Sequence, residues 1–126
     1  MKTVLYVDDE KINLTLFKYT FESKYKVICA ESGDEALKIL FSNDDIEVVI
    51  SDWKMPVMNG VDFIRKANSL FEDKTYMMLT GLERNDEINR LIKNGLLKSF
   101  HAKPFNKKDI EEAIELALEN NHSKTA

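Results

Sequence analysis

The sequence predicts an α/β fold in which a doubly wound sheet of five parallel strands is covered by five helices, on both faces. Short apolar runs of strand length alternate with amphipathic segments along the whole chain. The candidate strands are residues 3–7, 26–30, 47–51, 75–79 and 99–102. Parallel neighbours need crossover connections, and the alternating helices supply them in the usual right-handed sense.

Two of the helices carry clear start signals. Ser32 and Glu35 have capping-box spacing, in which each side chain accepts a hydrogen bond from the backbone N–H of the other, so a helix should begin near Gly33. Asn106 is a candidate N-cap for the last helix. The apolar residues of that helix recur at helical spacing and are Ile110, Ala113, Ile114, Ala117 and Leu118. This spacing predicts one face that packs on the sheet.

The length and composition fit a single globular domain. We expect residues 1–120 to form it, whereas residues 121–126 have no apolar pattern and are predicted to be a tail or the start of a linker. Hydrophobic residues make up 44% of the chain and charged residues 32%, which is typical of a globular protein rather than a disordered one.

The charge pattern and the apolar runs limit the classes of partner. The formal net charge is −4, and Lys and Arg are dispersed, which argues against direct nucleic-acid binding. No signal-like segment opens the chain, and no apolar stretch approaches the roughly 20 residues that a membrane span needs. We therefore expect a cytoplasmic location and no membrane partner.

Polar residues follow four of the predicted strands. Asp8 and Asp9 follow the first strand, Asp52 the third, Thr80 the fourth and Lys103 the fifth. Each of these residues, taken alone, is more often a capping, turn or solvated residue than a functional one. In a doubly wound fold, however, the carboxyl ends of the strands meet at the edge where ligands bind. Their convergence there predicts a functional site.

The residue types at this edge indicate a cation and a phosphate. Three clustered carboxylates repel one another unless a cation neutralises them. Oxygen ligands with open positions suit Mg²⁺, and Mn²⁺ fits the same ligands. Lys103 would complete a phosphate clamp. Because a carboxylate beside such a cation can attack phosphorus, the expected product is an aspartyl phosphate.

Four motifs surround these residues in order along the chain. They are VDDE at residues 7–10, DWKMPVMNG at 52–60, LTG at 79–81 and FHAKPF at 100–105. Over essentially its whole length the sequence resembles the receiver domains of bacterial response regulators, in particular those of chemotaxis regulators. The resemblance implies a flavodoxin-like (βα)5 fold with strand order 2-1-3-4-5. It also implies two-component signalling by phosphorylation.

The resemblance implies a role for each residue at the site. Asp52 would be the phosphoacceptor. Asp9 and Asp52 would ligate Mg²⁺ directly, Asp8 would act through metal-bound water, and Lys54 would give its backbone carbonyl. Lys103 would contact the phosphoryl group.

The resemblance also implies a switch rather than an enzyme that acts on other molecules. Thr80 would bond the phosphoryl group after transfer, and Phe100 would turn inward from an exposed rotamer. Pro104 would follow a cis peptide bond. The phosphoryl group would come from a sensor histidine kinase, a phosphotransfer protein or a small acyl phosphate, and it would be lost by slow autodephosphorylation.

The expected output of the switch is a change in the surface formed by helix 4, strand 5 and helix 5. That surface would control a downstream output domain or protein. Helix 5 is rich in acidic side chains, so two copies packed side by side would repel each other. We therefore expect a monomer before phosphorylation, whereas phosphorylation could allow a dimer.

Four alternative functions fit the motifs less well. A flavodoxin-like electron carrier needs a Ser/Thr- and Gly-rich phosphate loop after strand one, where residues 8–10 are acidic. A haloacid-dehalogenase-type phosphatase has Asp-x-Asp there, whereas Asp8 and Asp9 are adjacent. A nucleoside triphosphatase needs a Gly-x-x-x-x-Gly-Lys-[Ser/Thr] motif, which the sequence lacks. A degenerate receiver that only binds partners would not need all the reactive side chains present here.

Overall fold

The computed structural model describes the backbone of residues 1–125 and the side chains of residues 1–121. The strands are β1 (Thr3–Val7), β2 (Lys26–Ala30), β3 (Ile46–Ser51), β4 (Thr75–Thr80) and β5 (Ser99–Ala102). The helices are α1 (Lys11–Phe21), α2 (Gly33–Ser42), α3 (Gly60–Leu70), α4 (Asp86–Lys93) and α5 (Lys107–Thr125). All five predicted strands are present. β3 begins one residue earlier than predicted, and β4 ends one residue later.

The strands form one parallel sheet in the order β2-β1-β3-β4-β5. This order confirms the predicted fold class. β2 is added on one side of β1, whereas β3, β4 and β5 are added on the other side. The strand order therefore reverses between β1 and β3, which are neighbours in the sheet. A crevice therefore opens at the carboxyl ends of β1 and β3, where doubly wound folds bind ligands.

Two apolar cores lie on opposite faces of the sheet. Val4 and Tyr6 pack with α1 and α5, whereas Leu5 and Val7 pack with α2, α3 and α4. Successive side chains of a strand point to opposite faces, so a central strand between two helical layers is apolar at every position. This explains why β1 is buried throughout.

The predicted helix caps are largely present. Ser32 accepts a hydrogen bond from Glu35 N at 3.1 Å, and Asn106 accepts one from Asp109 N at 3.1 Å. The reciprocal half of the capping box is wrong, because the Glu35 carboxylate accepts from the backbone of Glu31 at 3.3 Å instead of from Ser32. The turn before α2 brings the earlier N–H within reach of that side chain.

The last helix runs past the end of the predicted domain. α5 spans Lys107–Thr125, and its predicted apolar face is buried at Ile110, Ile114, Ala117 and Leu118. The assignment of residues 121–126 as a tail or linker stays a prediction, and residue 126 lies outside the described residues. Among residues 1–125, no helix has both the length and the apolar character that crossing a membrane requires.

A strained turn follows β3. Val57 has φ of 69°, and Met58 N donates to Pro56 O at 2.7 Å, so the turn closes over three residues with Val57 at its centre. A positive φ is unfavourable for a β-branched residue. The Val57 side chain is fully exposed, so packing does not compensate for the strain.

We expect Val57→Gly to raise the free energy of unfolding by about 1 kcal/mol, because glycine adopts a positive φ without the steric cost of a Cβ. Urea denaturation measures this change. Glu83→Gly is the control, since Glu83 is an exposed loop residue without a positive φ. The control should be neutral or destabilised, and equal destabilisation of both variants would contradict the account.

Candidate functional site

Three carboxylates meet where β1 and β3 end. One oxygen from each of Asp8, Asp9 and Asp52 lies within 4.8 Å of the others. Asp8 is fully buried, Asp52 is 8% exposed and Asp9 lies at the surface. The cluster forms because β1 and β3 are adjacent and in register at their ends, which places residues more than 40 positions apart side by side. The structure thus brings together all three of the acidic residues predicted to bind metal.

Lys103 connects two of these carboxylates. Its Nζ donates to Asp8 Oδ2 at 2.6 Å and to Asp52 Oδ2 at 2.7 Å. Burial alone would lower the pKa of Lys103, but its hydrogen bonds to Asp52 and Asp8 and their charges outweigh burial and raise the pKa. The side chain is therefore a positively charged ammonium group at neutral pH.

Backbone contacts fix the position of the Lys103 main chain, from which the side chain extends. Lys103 N donates to Thr80 O at 2.9 Å, which continues the β4–β5 pairing beyond the last strand residue. The Lys103–Pro104 peptide bond is cis, as the resemblance implied. The lysine side chain then extends from the edge strand across the end of β4 to the carboxylates.

The backbone holds Asp52 firmly at the end of β3. Asp52 Oδ1 accepts from Trp53 N at 2.6 Å, while its other carboxylate oxygen accepts from the lysine. Gly60 N donates to Trp53 O at 2.6 Å. A Cβ at Gly60 would lie 2.0 Å from Asp52 O, so only glycine allows the start of α3 to approach so closely. This close approach explains the glycine that ends the DWKMPVMNG motif.

Asp8 is held by donors from its own strand and the following loop. Tyr6 Oη donates to Asp8 Oδ2 at 2.7 Å, and Glu10 N donates to Asp8 Oδ1 at 3.0 Å. Burial, reinforced by the charge and hydrogen bond of Asp8, raises the pKa of Tyr6, so its hydroxyl stays protonated. The sequence interpretation missed Tyr6. The available signal was a hydroxyl two residues before Asp8, hence on the same face of the strand.

A cavity of about 730 Å³ opens beside Asp52. Its lining includes Leu82 and five residues predicted to act in phosphoryl transfer, namely Asp9, Asp52, Lys54, Thr80 and Lys103. Thr80 is buried, and its Oγ1 accepts from Leu82 N at 3.3 Å. The cavity has room for a small anion, and its wall carries an ammonium group and a hydroxyl that can bind one once a cation offsets the carboxylates.

Phe100 lies away from this cavity. It pairs in register with Met78 and packs in part against the core beneath α4. The side chain is half-buried. The ring is thus partly exposed, because core residues already cover part of it, and its turn from an exposed to an inward rotamer stays a prediction.

Comparison with known proteins identifies the family. The family model described as response regulator receiver domain matches residues 4–115. The chain belongs to this family. Receiver domains are phosphoacceptor switches of two-component signalling, so the resemblance inferred from the four motifs is confirmed.

Individual relatives match this receiver over nearly its whole length. A chemotaxis protein CheY homolog from Campylobacter jejuni is 33% identical over 119 residues, which cover 91% of each chain. Chemotaxis protein CheY1 from Helicobacter pylori is 33% identical over 122 residues, which cover 94% of this chain and 98% of the relative. The similarity is thus to a complete receiver and not to one motif.

Solved structures show the same fold. A response regulator receiver domain protein from Clostridium thermocellum is 30% identical, with a TM-score of 0.90 over 97% of this receiver and 98% of that chain. The response regulator TrrA from Thermotoga maritima, solved in complex with Mg²⁺–BeF, is 28% identical, with a TM-score of 0.79. That match covers 93% of this receiver and 99% of TrrA.

The site geometry predicts that Lys103→Met will destabilise the receiver by on the order of 3 kcal/mol in the absence of divalent cations, since a buried carboxylate loses its ion-pair partner. Mg²⁺ should then raise the melting temperature of the variant more than that of the wild type, because the repelling carboxylates gain their counter-charge. Thermal unfolding with EDTA and with MgCl₂ measures both effects.

Lys24→Met is the matched control. Lys24 forms an ion pair with Glu111 at 2.6 Å on the surface and does not line the cavity beside Asp52. This variant should lose little stability and should respond to Mg²⁺ as the wild type does. If Mg²⁺ raises the melting temperatures of Lys103→Met and wild type equally, Lys103 is not the counter-charge of the three carboxylates.

Proposed function

We propose that this receiver accepts a phosphoryl group on Asp52. The single observation that carries the proposal is the position of the Asp52 carboxylate, which faces the cavity while an ammonium group bonds one of its oxygens. A carboxylate oxygen of Asp52 attacks phosphorus, and the bond from phosphorus to the donor breaks. The electron pair of that bond leaves with the donor, which is an imidazole of a phosphohistidine or the carboxylate of an acyl phosphate.

The donor set fits a hard divalent cation. Three carboxylates and one ammonium group leave a formal charge of about −2, which a divalent cation balances. Asp9 and Asp52 would hold Mg²⁺ or Mn²⁺ directly, Asp8 through water and Lys54 through its backbone carbonyl. When bound, the cation supplies positive charge for the phosphoryl oxygens during transfer.

The side chain of Lys103 changes partners in this proposal. Before transfer its ammonium group bonds Asp8 and Asp52. Transfer converts the Asp52 carboxylate into an acyl phosphate and places the negative charge on the phosphoryl oxygens. Lys103 then donates to a phosphoryl oxygen, because a charge-assisted hydrogen bond follows the charge.

Thr80 and Phe100 convert phosphorylation into a change of surface. The Thr80 hydroxyl can donate to a phosphoryl oxygen while it accepts from Leu82 N. That bond draws the start of the β4–α4 loop toward Asp52. Phe100, which packs in part against the core shared by α2, α3 and α4, turns further inward, and the surface of α4, β5 and α5 shifts toward its output-binding state.

The phosphodonor protein docks over α1. Ile12, Leu16 and Tyr19 are spaced four and three residues apart and are 75%, 54% and 78% exposed. Leu16 of this stripe lines a cavity of about 480 Å³ whose wall includes Lys103 and Phe105. An exposed apolar stripe next to the reactive group suits a helical phosphohistidine donor, which is a sensor histidine kinase or a phosphotransfer protein.

The output and assembly follow from the same surfaces. The receiver acts as a cytoplasmic switch that promotes its own phosphorylation and slow dephosphorylation, and it turns over no separate substrate. It binds no nucleic acid or membrane itself and controls an output domain or protein. The exposed acids of α5, including Glu112 and Glu119, favour a monomer before phosphorylation. Glu111 and Glu115 bond Lys24 and the Tyr25 hydroxyl instead.

Asp52→Asn should abolish phosphorylation, because an amide is a poor nucleophile toward phosphorus. Wild-type protein treated with acetyl phosphate and Mg²⁺ should gain the mass of one phosphoryl group, and the variant none. Asp62→Asn, which alters an exposed carboxylate on α3, is the control and should react as the wild type does. Mass spectrometry of the intact proteins gives the answer, and equal labelling of Asp52→Asn would refute the assignment.

Thr80→Ala should still accept the phosphoryl group but should transmit a much smaller change to Phe100 and α4, since it removes a hydroxyl and no proposed metal ligand. Amide chemical-shift changes on addition of beryllofluoride and Mg²⁺ measure the response. Thr80→Ser keeps the hydroxyl and should restore the response. Thr75→Ala, at the opposite end of β4, should behave as the wild type does. A full response in Thr80→Ala would show that the signal travels by another contact.

A further inference from the structure

Tyr6 lies beneath the site in β1 and is hydrogen-bonded to the reactive cluster through Asp8. It is 1% exposed in β1, and its hydroxyl donates to Asp8 Oδ2 at 2.7 Å. The same oxygen accepts from Lys103 Nζ at 2.6 Å. The other oxygen of Asp8 accepts from Glu10 N. One carboxylate oxygen is therefore shared between a phenol in a central strand and a lysine that follows the edge strand β5.

We propose that Tyr6 is a positioning residue for phosphoryl transfer, which holds Asp8 in place while Lys103 moves to the phosphoryl group. The proposal rests on the proposed function of Asp52. Asp8 is fully buried, and a buried carboxylate oxygen that loses its donor carries a large desolvation cost. When the lysine leaves Asp8 Oδ2, the Tyr6 hydroxyl is the protein donor that remains on that oxygen.

The surroundings of Tyr6 hold its side chain in one position. Its ring stacks on that of Phe17 with centroids 4.2 Å apart and an interplanar angle of 14°. Its backbone lies between Cys29 of β2 and Ile50 of β3 in the centre of the sheet. The phenol has few rotatable bonds and tight neighbours, whereas the lysine side chain is long and can change partners. The fixed Tyr6 hydroxyl and the longer, more flexible Lys103 side chain thus donate to the same oxygen, Asp8 Oδ2.

A purely structural role for Tyr6 makes a different prediction from a positioning role. If the phenol only satisfies its own hydrogen bond inside the core, its removal lowers stability and leaves the chemistry of the site unchanged. If it positions Asp8, its removal affects metal binding and phosphorylation, and these effects depend on the presence of Asp8. Tyr6→Phe separates the two roles, since it removes one oxygen and keeps the stacked ring.

Tyr6→Phe should slow phosphorylation by acetyl phosphate about tenfold at saturating Mg²⁺, the factor expected for a hydrogen bond to a charged group. Tyr76→Phe is the matched control. Tyr76 is 2% exposed in β4, and its hydroxyl donates to Phe71 O at 2.7 Å, away from the carboxylates. Both variants should lose stability, but only Tyr6→Phe should react slowly. A wild-type rate in Tyr6→Phe would overturn the proposal.

The second readout is Mg²⁺ binding, followed through the fluorescence of Trp53, which adjoins Asp52. Tyr6→Phe should bind Mg²⁺ more weakly, since Asp8 is then less ordered before the ion binds. In an Asp8→Ala background, the same Tyr6→Phe substitution should leave Mg²⁺ affinity unchanged. An equal loss of affinity with and without Asp8 would show that Tyr6 acts on the fold and not through Asp8.

The two readouts also separate this proposal from the proposed function. If wild-type protein gains no phosphoryl group on Asp52, the proposed function fails and the phosphorylation part of the positioning role fails with it. If wild type is phosphorylated and Tyr6→Phe keeps the wild-type rate and Mg²⁺ affinity, only the positioning role fails.

Discussion

The bridge from the Lys103 ammonium group to Asp8 and Asp52 is the interaction on which the site depends. It links the edge strand β5 to β1 and β3, although β4 lies between β5 and β3 in the sheet. Without this positive charge, the three carboxylates would lie within 4.8 Å of one another with no internal counter-charge. The bridge therefore allows a reactive acidic cluster to exist in a folded protein.

The remaining features of the site hold the two ends of this bridge in place. Trp53 N fixes one oxygen of Asp52, and the absence of a side chain at Gly60 allows the start of α3 to close against that residue. Tyr6 and Glu10 N fix Asp8. Because the carboxylates are fixed and the lysine side chain is long, the proposed transfer to Asp52 would change the partners of Lys103 without disturbing the strands.

The sequence predicted the fold and the composition of the site well, for physical reasons. Alternating strand and helix periods determine a parallel sheet, and the carboxyl ends of parallel strands must share an edge, so Asp8, Asp52 and Lys103 were expected together. The bridge itself was not predicted, since which acceptors a long lysine side chain reaches depends on tertiary distances. For the same reason, the partial burial of Phe100 and the contact between Tyr6 and Asp8 required the structure.

The most direct test of the account is a crystal structure of the receiver with Mg²⁺ and beryllofluoride, which mimics the phosphoryl group. We expect beryllium bonded to an oxygen of Asp52 and Lys103 Nζ within hydrogen-bond distance of a fluoride. We also expect Tyr6 still to donate to Asp8 after the lysine has left. Beryllium on another side chain, or Lys103 still bonded to both Asp8 and Asp52, would contradict the account.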